Sequence, residues 1–293
     1  MATAPTSTPL RPWLLAARVK TLPAALVPVA VGTAVAGRSG PVHAGLVASC
    51  AGFALLVQVA TNLANDLYDS ERGADTPARR GPLRVTAAGL VQPAAMRRAL
   101  ALISIAAVLA GLPVALAHPA LVAAGAASLL AGWAYTGGPY PLAYHGLGDV
   151  FVVLFFGVVA VAGTAFAQAG AVLPTAVLAG LGVGLLCDNL LVVNNARDVD
   201  TDAAVGKRTL AVRLGARAAR AQYALQALLA FVLPFALPWR VGAFTLVAAP
   251  LALVAGARFR SAQDGPEHNR ALGLAAVALL AYGVALTAAL VWA

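Results

Sequence analysis

Long apolar runs, separated by short polar or Gly/Pro-rich breaks, dominate the chain. A helix that crosses a bilayer needs about 20 apolar residues. Nine stretches meet that need: residues 13–37, 42–66, 95–117, 119–137, 147–168, 173–196, 217–237, 240–258 and 271–292. The breaks fall where Gly, Pro and charge gather: Gly37 to Pro41, the long loop up to Pro93, His118-Pro119, Gly137 to Pro141, Gln168 to Gly170, the acidic loop after residue 196, Leu237 to Arg240 and Gln263 to Pro266. The pattern predicts an all-α polytopic membrane bundle of about nine transmembrane helices, forming one integral membrane domain over residues 1–293.

Two polar clusters interrupt this pattern at the ends of apolar runs. The first is Asn62-Leu63-Ala64-Asn65-Asp66-Leu67-Tyr68-Asp69, followed by Glu71, Arg72, Gly73 and Asp75. The second is Asn194-Asn195-Ala196-Arg197-Asp198, followed by Asp200, Asp202, Gly206 and Lys207. Acids and amides held close to a membrane are costly and mark function by default. Each cluster contains Asn-x3-Asp, at Asn65/Asp69 and at Asn194/Asp198, and a basic, Gly-containing loop follows each. This weak repeat predicts two related halves around a central cavity, an arrangement common in membrane proteins.

Composition sharpens the class. The chain is 61% hydrophobic and 11% charged, against about 25% charged in ordinary soluble domains. A net charge of +9 raises the question of nucleic acid, but cationic loops on one side of a membrane account for it more simply. With nine spans, all of the 20 Lys and Arg except Arg38 and Arg240 fall on the N-terminal side. That asymmetry predicts a multi-pass plasma-membrane protein whose N-terminus and both polar clusters are cytoplasmic, with membrane lipid and not nucleic acid as its surroundings. Met1 to Leu10 lacks a basic segment followed by a cleavable apolar one, so no signal peptide is expected. Cys50 and Cys187 lie inside apolar runs and read as small core residues. Quaternary state does not follow from the sequence.

Helical spacing organises the clusters. Asn62, Asp66 and Asp69 share one face, and so do Asn194, Asp198 and Asp202 if the helix continues that far. Opposed, the two faces would gather carboxylates that repel strongly unless cations lie between them. Hard oxygen donors suit Mg²⁺, which takes one or two carboxylates together with substrate phosphates. Arg72, Arg79, Arg84, Arg197, Lys207 and Arg208 are placed to grip phosphate oxygens. Carboxylates, cations and a greasy cavity together suit a diphosphate with an apolar tail. A single Asp here would more often be a solvated helix cap; two matched clusters on one membrane face argue against that.

The paired clusters resemble the two aspartate-rich motifs of the UbiA superfamily of intramembrane prenyltransferases. Further segments resemble the branch that acts on 1,4-dihydroxy-2-naphthoate: Arg18-Val19-Lys20-Thr21-Leu22-Pro23, Gly73-Ala74-Asp75, Arg80 to Arg84, Gly148-Asp149 with Phe155-Phe156-Gly157, and Gly206 to Gly215. The broad motif Asn-Asp-x2-Asp-x3-Asp fits at Asn65, Asp66 and Asp69 but has Gly73 in its last place, with Asp75 two residues on. The resemblance implies a Mg-dependent aromatic prenyltransferase of menaquinone biosynthesis. It would transfer a polyprenyl group from an allylic polyprenyl diphosphate to the aromatic acceptor, releasing diphosphate and CO2. Asp66, Asp69, Asp198 and Asp202 would be the catalytic metal ligands. Asn62, Asn65, Arg72, Arg84, Asn194, Asn195, Arg197, Lys207, Lys20 and Tyr135 would bind the substrates. Tyr68, Tyr135, Tyr140 and Tyr144 are expected either to shield an allylic cation or to form an ordinary interfacial belt.

Other readings stay open at this point. 4-Hydroxybenzoate or homogentisate would serve the same chemistry as acceptors. A transporter of anionic lipids or metabolites would hold its acids in mid-span, whereas seven of the 11 acids lie in the two clusters. Asp188, inside the sixth span, either contacts substrate or is a neutral group hydrogen-bonded to a neighbouring helix, and Asp149, at the start of the fifth, is either a helix N-cap or part of the acceptor pocket.

Overall fold

The computed structural model describes residues 10–74 and 80–292. Helices are the only regular elements among these residues. In chain order they are α1 (Arg11–Ala17), α2 (Pro23–Gly37), α3 (Ala44–Glu71), α4 (Pro93–Ala117), α5 (Leu121–Ala134), α6 (Gly148–Ala169), α7 (Pro174–Arg197), α8 (Val199–Ala204), α9 (Leu210–Val232), α10 (Trp239–Ser261) and α11 (Gly265–Trp292).

Six of them, α3, α4, α6, α7, α10 and α11, are long and apolar enough to cross a membrane among the described residues. α2 and α5 are apolar but shorter. α9 is 23 residues long, but basic residues occupy its first half. The chain is a polytopic membrane protein, and the expected count of nine full-length spans is not reached on length and apolarity. The first expected span, 13–37, shows why. Arg18 is left-handed, with φ 50°, and divides that stretch into α1, a 3-10 turn at Val19–Thr21, and α2. A non-glycine residue pays about 1–2 kcal/mol for that conformation, and periodicity carries no sign of it.

Two buried apolar cores flank a cavity. The smaller joins α1, α3 and α4 through Ala16, Leu63, Leu67, Met96 and Leu100. The larger joins α2 to α6, α7, α9, α10 and α11 through residues such as Val31, Val161, Val183, Phe259 and Tyr282. Lipid tails are as apolar as leucine, so association inside a membrane relies on close packing of small residues. Gly157 of α6 faces Gly180 and Gly184 of α7 so closely that a Cβ on it would lie 2.6 Å from the Gly184 Cα. α6 also contains a π-helical segment, Val153–Val159; such bulges shift the face that a helix presents and often occur at functional sites. Here the shifted face brings Phe155 and Phe156 to the cavity wall.

Candidate active site

The cavity is about 510 Å³ and is lined by α2 to α7. Its walls are largely apolar. Its polar end carries Asn62 and Asn65 from α3, Asn194 from α7, Arg18 and Tyr135. The two polar clusters meet at this end.

α3 continues unbroken to Glu71, so Asn62, Asp66 and Asp69 stay on one buried face, as their spacing predicts. α7 does not continue. It ends at Arg197, the backbone turns at Asp198 (φ −99°, ψ 10°), and α8 begins one residue later. Asp198 and Asp202 remain stacked across the break, because the Asp202 amide donates to the Asp198 carbonyl at 2.8 Å.

Each carboxylate has neighbours that balance it. Asp66 accepts the backbone N–H groups of Val85 and Thr86 at 3.0 and 2.8 Å, which folds the loop after α3 back over the site. Asp69 pairs with Arg84 at 2.9 Å, both side chains buried, and accepts the Tyr144 hydroxyl at 3.1 Å. The Arg197 guanidinium forks onto Asp198, Nε at 2.9 Å and Nη2 at 2.7 Å, while its Nη1 donates to Asn269 of α11 at 2.6 Å. Asp202 faces the Lys207 ammonium at 3.5 Å, and its Oδ2 is buried without a hydrogen-bond partner.

Tyr144 joins the clusters. It donates to Asp69 of the first, and its carbonyl accepts the Arg208 amide at 3.0 Å from the loop after the second. Arg72 and Lys207 lie 5.3 and 5.8 Å from its ring centre. Burial, then the Asp69 charge, push the Tyr144 phenol far above its ordinary range, so it stays protonated and donates. Burial raises the Asp202 carboxyl from 3.8 to about 6; Lys207 opposes this, and the charges of Asp198 and Asp69 add to it. The influence of Asp69 on Asp202 is the electrostatic mark of convergence between segments more than 130 residues apart in the chain.

Several expected site residues have other engagements. Asn62 lines the cavity but donates to the Ala17 carbonyl (3.0 Å) and the Thr21 hydroxyl (3.1 Å), so it also holds the Arg18 turn. Asn65 accepts the Thr136 hydroxyl at 2.9 Å. Arg72 donates to the Gly138 carbonyl at 2.7 Å and fastens the loop after α5. Asn194 lines the cavity and Asn195 is buried beside it. Tyr135 is at the cavity wall, close to Gly148. Tyr68 packs on Gly137, and Tyr140 is exposed and stacked on His145. Asp75, Arg79 and the Lys20 side chain lie outside the described residues.

Asp188 and Asp149 form a separate buried network. Gln222 donates to Asp149 at 2.7 Å and to Asp188 at 3.3 Å, and Gln226 donates to Asp188 at 2.6 Å. Sequence reading missed Gln222, Gln226, Asn269 and Thr136 as partners. Each is an isolated amide or hydroxyl far along the chain, and nothing in local spacing links it to the clusters.

The donor set is suited to a divalent cation bound together with phosphate. All its oxygens are hard, and one of them, Asp202 Oδ2, is buried without a partner. Among the described residues no three carboxylate, His or Cys groups converge into an all-protein cage. Mg²⁺ ordinarily completes such a shell with substrate phosphate oxygens.

Comparison with known proteins agrees with this geometry. The profile of the UbiA prenyltransferase family matches residues 25–280. The chain is 41% identical to the 1,4-dihydroxy-2-naphthoate octaprenyltransferase of Mycobacterium tuberculosis, over 95% of this chain and 96% of that protein. It is 39% identical to the protein of the same name from Escherichia coli, over 88% and 87% of the two chains. Its fold is similar to a UbiA homologue of Archaeoglobus fulgidus solved bound to DMAPP and Mg²⁺, with a TM-score of 0.64 and 16% identity over 94% and 99% of the chains.

Proposed function

The chain belongs to the UbiA prenyltransferase family, and on that premise we propose that it transfers a polyprenyl group from an allylic diphosphate to 1,4-dihydroxy-2-naphthoate in menaquinone biosynthesis. The observation that carries this reading is the junction of the two clusters at Tyr144, whose hydroxyl donates to Asp69 and whose ring lies beside Lys207, the partner of Asp202; Asp69 follows Asn65, and Asp198 follows Asn194, by one helical turn from the polar end of an apolar cavity. Relatives named for this reaction match nearly the whole chain.

Asp69, Asp198 and Asp202, with Asp66 behind them, would hold Mg²⁺, which supplies charge to stabilise the departing diphosphate. Arg72 and Lys207, both beside the Tyr144 ring, bind diphosphate oxygens and fix their orientation. The bond between allylic carbon and diphosphate oxygen breaks with its electron pair on oxygen. The apolar walls exclude water from the allylic cation, and Phe155, Phe156 and Tyr135 offer it aromatic faces. The acceptor ring carbon that bears the carboxylate forms the new C–C bond with an electron pair of the ring. The pair from the bond to the departing carboxylate restores the ring as CO2 leaves, giving demethylmenaquinone in its reduced form. The site mouth is cytoplasmic in this reading, because the basic loops surround it.

Purified protein, an allylic polyprenyl diphosphate and 1,4-dihydroxy-2-naphthoate, with and without EDTA, test the proposal by mass spectrometry. Metal-dependent prenylated naphthoquinone with CO2 is the expected result. Prenylation of 4-hydroxybenzoate or homogentisate in preference to the naphthoate would overturn the assigned acceptor, and no prenyl transfer from folded protein would overturn the reaction.

A further inference from the structure

We propose that Phe53, seated between two glycines in the middle of the cavity, determines which isoprenoid chain lengths the protein accepts; this rests on the prenyl-diphosphate reading above. Phe53 is on α3, three turns and more from Asn65, about 18 Å along the helix. α4 and α5 run beside it and each presents a glycine at its level. A Cβ on Gly111 would meet the ring at 3.0 Å, and one on Gly125 would meet it at 3.6 Å. The ring therefore occupies space that side chains on α4 and α5 would otherwise fill. One turn further, the Ser49 hydroxyl donates to the Ala110 carbonyl at 2.6 Å and fixes the register of α3 against α4.

The cavity continues on both sides of the ring. Toward the polar end its wall is Val57, Thr61, Leu129 and Gly132; beyond the ring it is Cys50, Val114, Ala115, Leu121 and Val122. Three backbone bonds of an extended peptide span about 3.5 Å. By the same bond geometry a four-bond isoprene unit extends about 4.7 Å, so about four units reach from Asn65 to Phe53. A donor of fifteen carbons, three units long, lies wholly on the polar side of the ring. A longer tail must pass it, and the ring then selects by steric fit, as pocket side chains select among substrates that differ by a few carbons.

The test is competitive binding of a fifteen-carbon and a forty-carbon prenyl diphosphate, with Mg²⁺ and no acceptor, to the full protein in detergent. Without acceptor the pocket is read whether or not transfer follows, and the reaction assay above tests the reaction by itself. Phe53→Ala is expected to raise the ratio of long-chain to short-chain affinity roughly tenfold. Gly111→Ala, which drives the ring toward the cavity, is expected to lower that ratio. Phe53→Leu, a smaller change, should fall between Phe53→Ala and wild type and guards against misfolding of the alanine variant. Ratios unchanged in all three variants, or shifted in one direction by both Phe53→Ala and Gly111→Ala, would overturn the proposal.

Discussion

At the scale of single residues, the candidate site is a set of carboxylates that the protein itself balances. Arg84 and Asp69 are 7% and 2% exposed and face one another at 2.9 Å. Removing one partner of a buried pair leaves an uncompensated charge. Arg84→Ala should therefore destabilise the protein by about 3 kcal/mol, read as a lowered thermal midpoint in detergent, and Arg84→Lys should recover part of the loss. Asp202 makes a prediction about pH. Folding raises its pKa from 3.8 to about 6, so the folded protein holds this proton more tightly than the unfolded chain. That contribution to stability is complete below about pH 4 and lost as the pH rises through about 6. In the proposed site a divalent cation would take the place of the proton. Stabilisation by Mg²⁺ with a prenyl diphosphate should then be larger at pH 7.5 than at pH 5 in thermal unfolding, and in Asp202→Asn the difference between the two pH values should shrink. The acids themselves were legible in the sequence, since Asn62, Asp66 and Asp69 lie on one helical face by spacing alone. The pairings were not: Tyr144, expected only as a cation shield or interfacial aromatic, donates to Asp69, and Asn269 accepts from Arg197, through tertiary packing that a one-dimensional pattern does not contain.

At the scale of elements, the long rods were legible and their interruptions were not. Hydrophobic length placed α3, α4, α6, α7, α10 and α11 within three residues of their bounds, except that α3 ends five residues later and α11 starts six residues earlier than expected, where polar residues carry the helix on. It passed over the left-handed Arg18, because neither Gly nor Pro marks that position, whereas the end of α7 at Arg197 falls one residue from the expected end at 196. It also passed over the π segment of α6, whose residues are as apolar as those around them. The contact between α6 and α7 depends on glycine at positions where any side chain would strike backbone. Gly157→Val should lower the folded yield sharply, with a cost of at least about 2 kcal/mol from overpacking, measured as the monodisperse fraction after extraction. Gly163→Ala, on the same helix with open space around it, should extract like wild type.

At the scale of the whole molecule, the sequence supported a membrane bundle with its chemistry on one face, because apolar length and charge sorting are global properties that survive errors at single boundaries. The number of crossings was less legible, since α2, α5 and α9 depart from the simple rule of length and apolarity. Orientation yields a direct prediction. Arg240→Cys, on the sparsely charged side, should react with a membrane-impermeant maleimide applied to intact cells. Asp200→Cys, exposed at the opposite end, should react only after the membrane is opened. Both variants are to be made in a background lacking Cys50 and Cys187. Labelling in the reverse sense would invert the proposed orientation. The central claim is that both clusters act on one diphosphate, and calorimetric titration of an unreacted prenyl diphosphate with Mg²⁺ tests it most directly. Asp69→Asn, from the first cluster, and Asp198→Asn, from the second, should each weaken metal-dependent binding by tenfold or more, and the double variant should lose little beyond either one. Full affinity in either single variant, with the fold intact, would contradict a shared site.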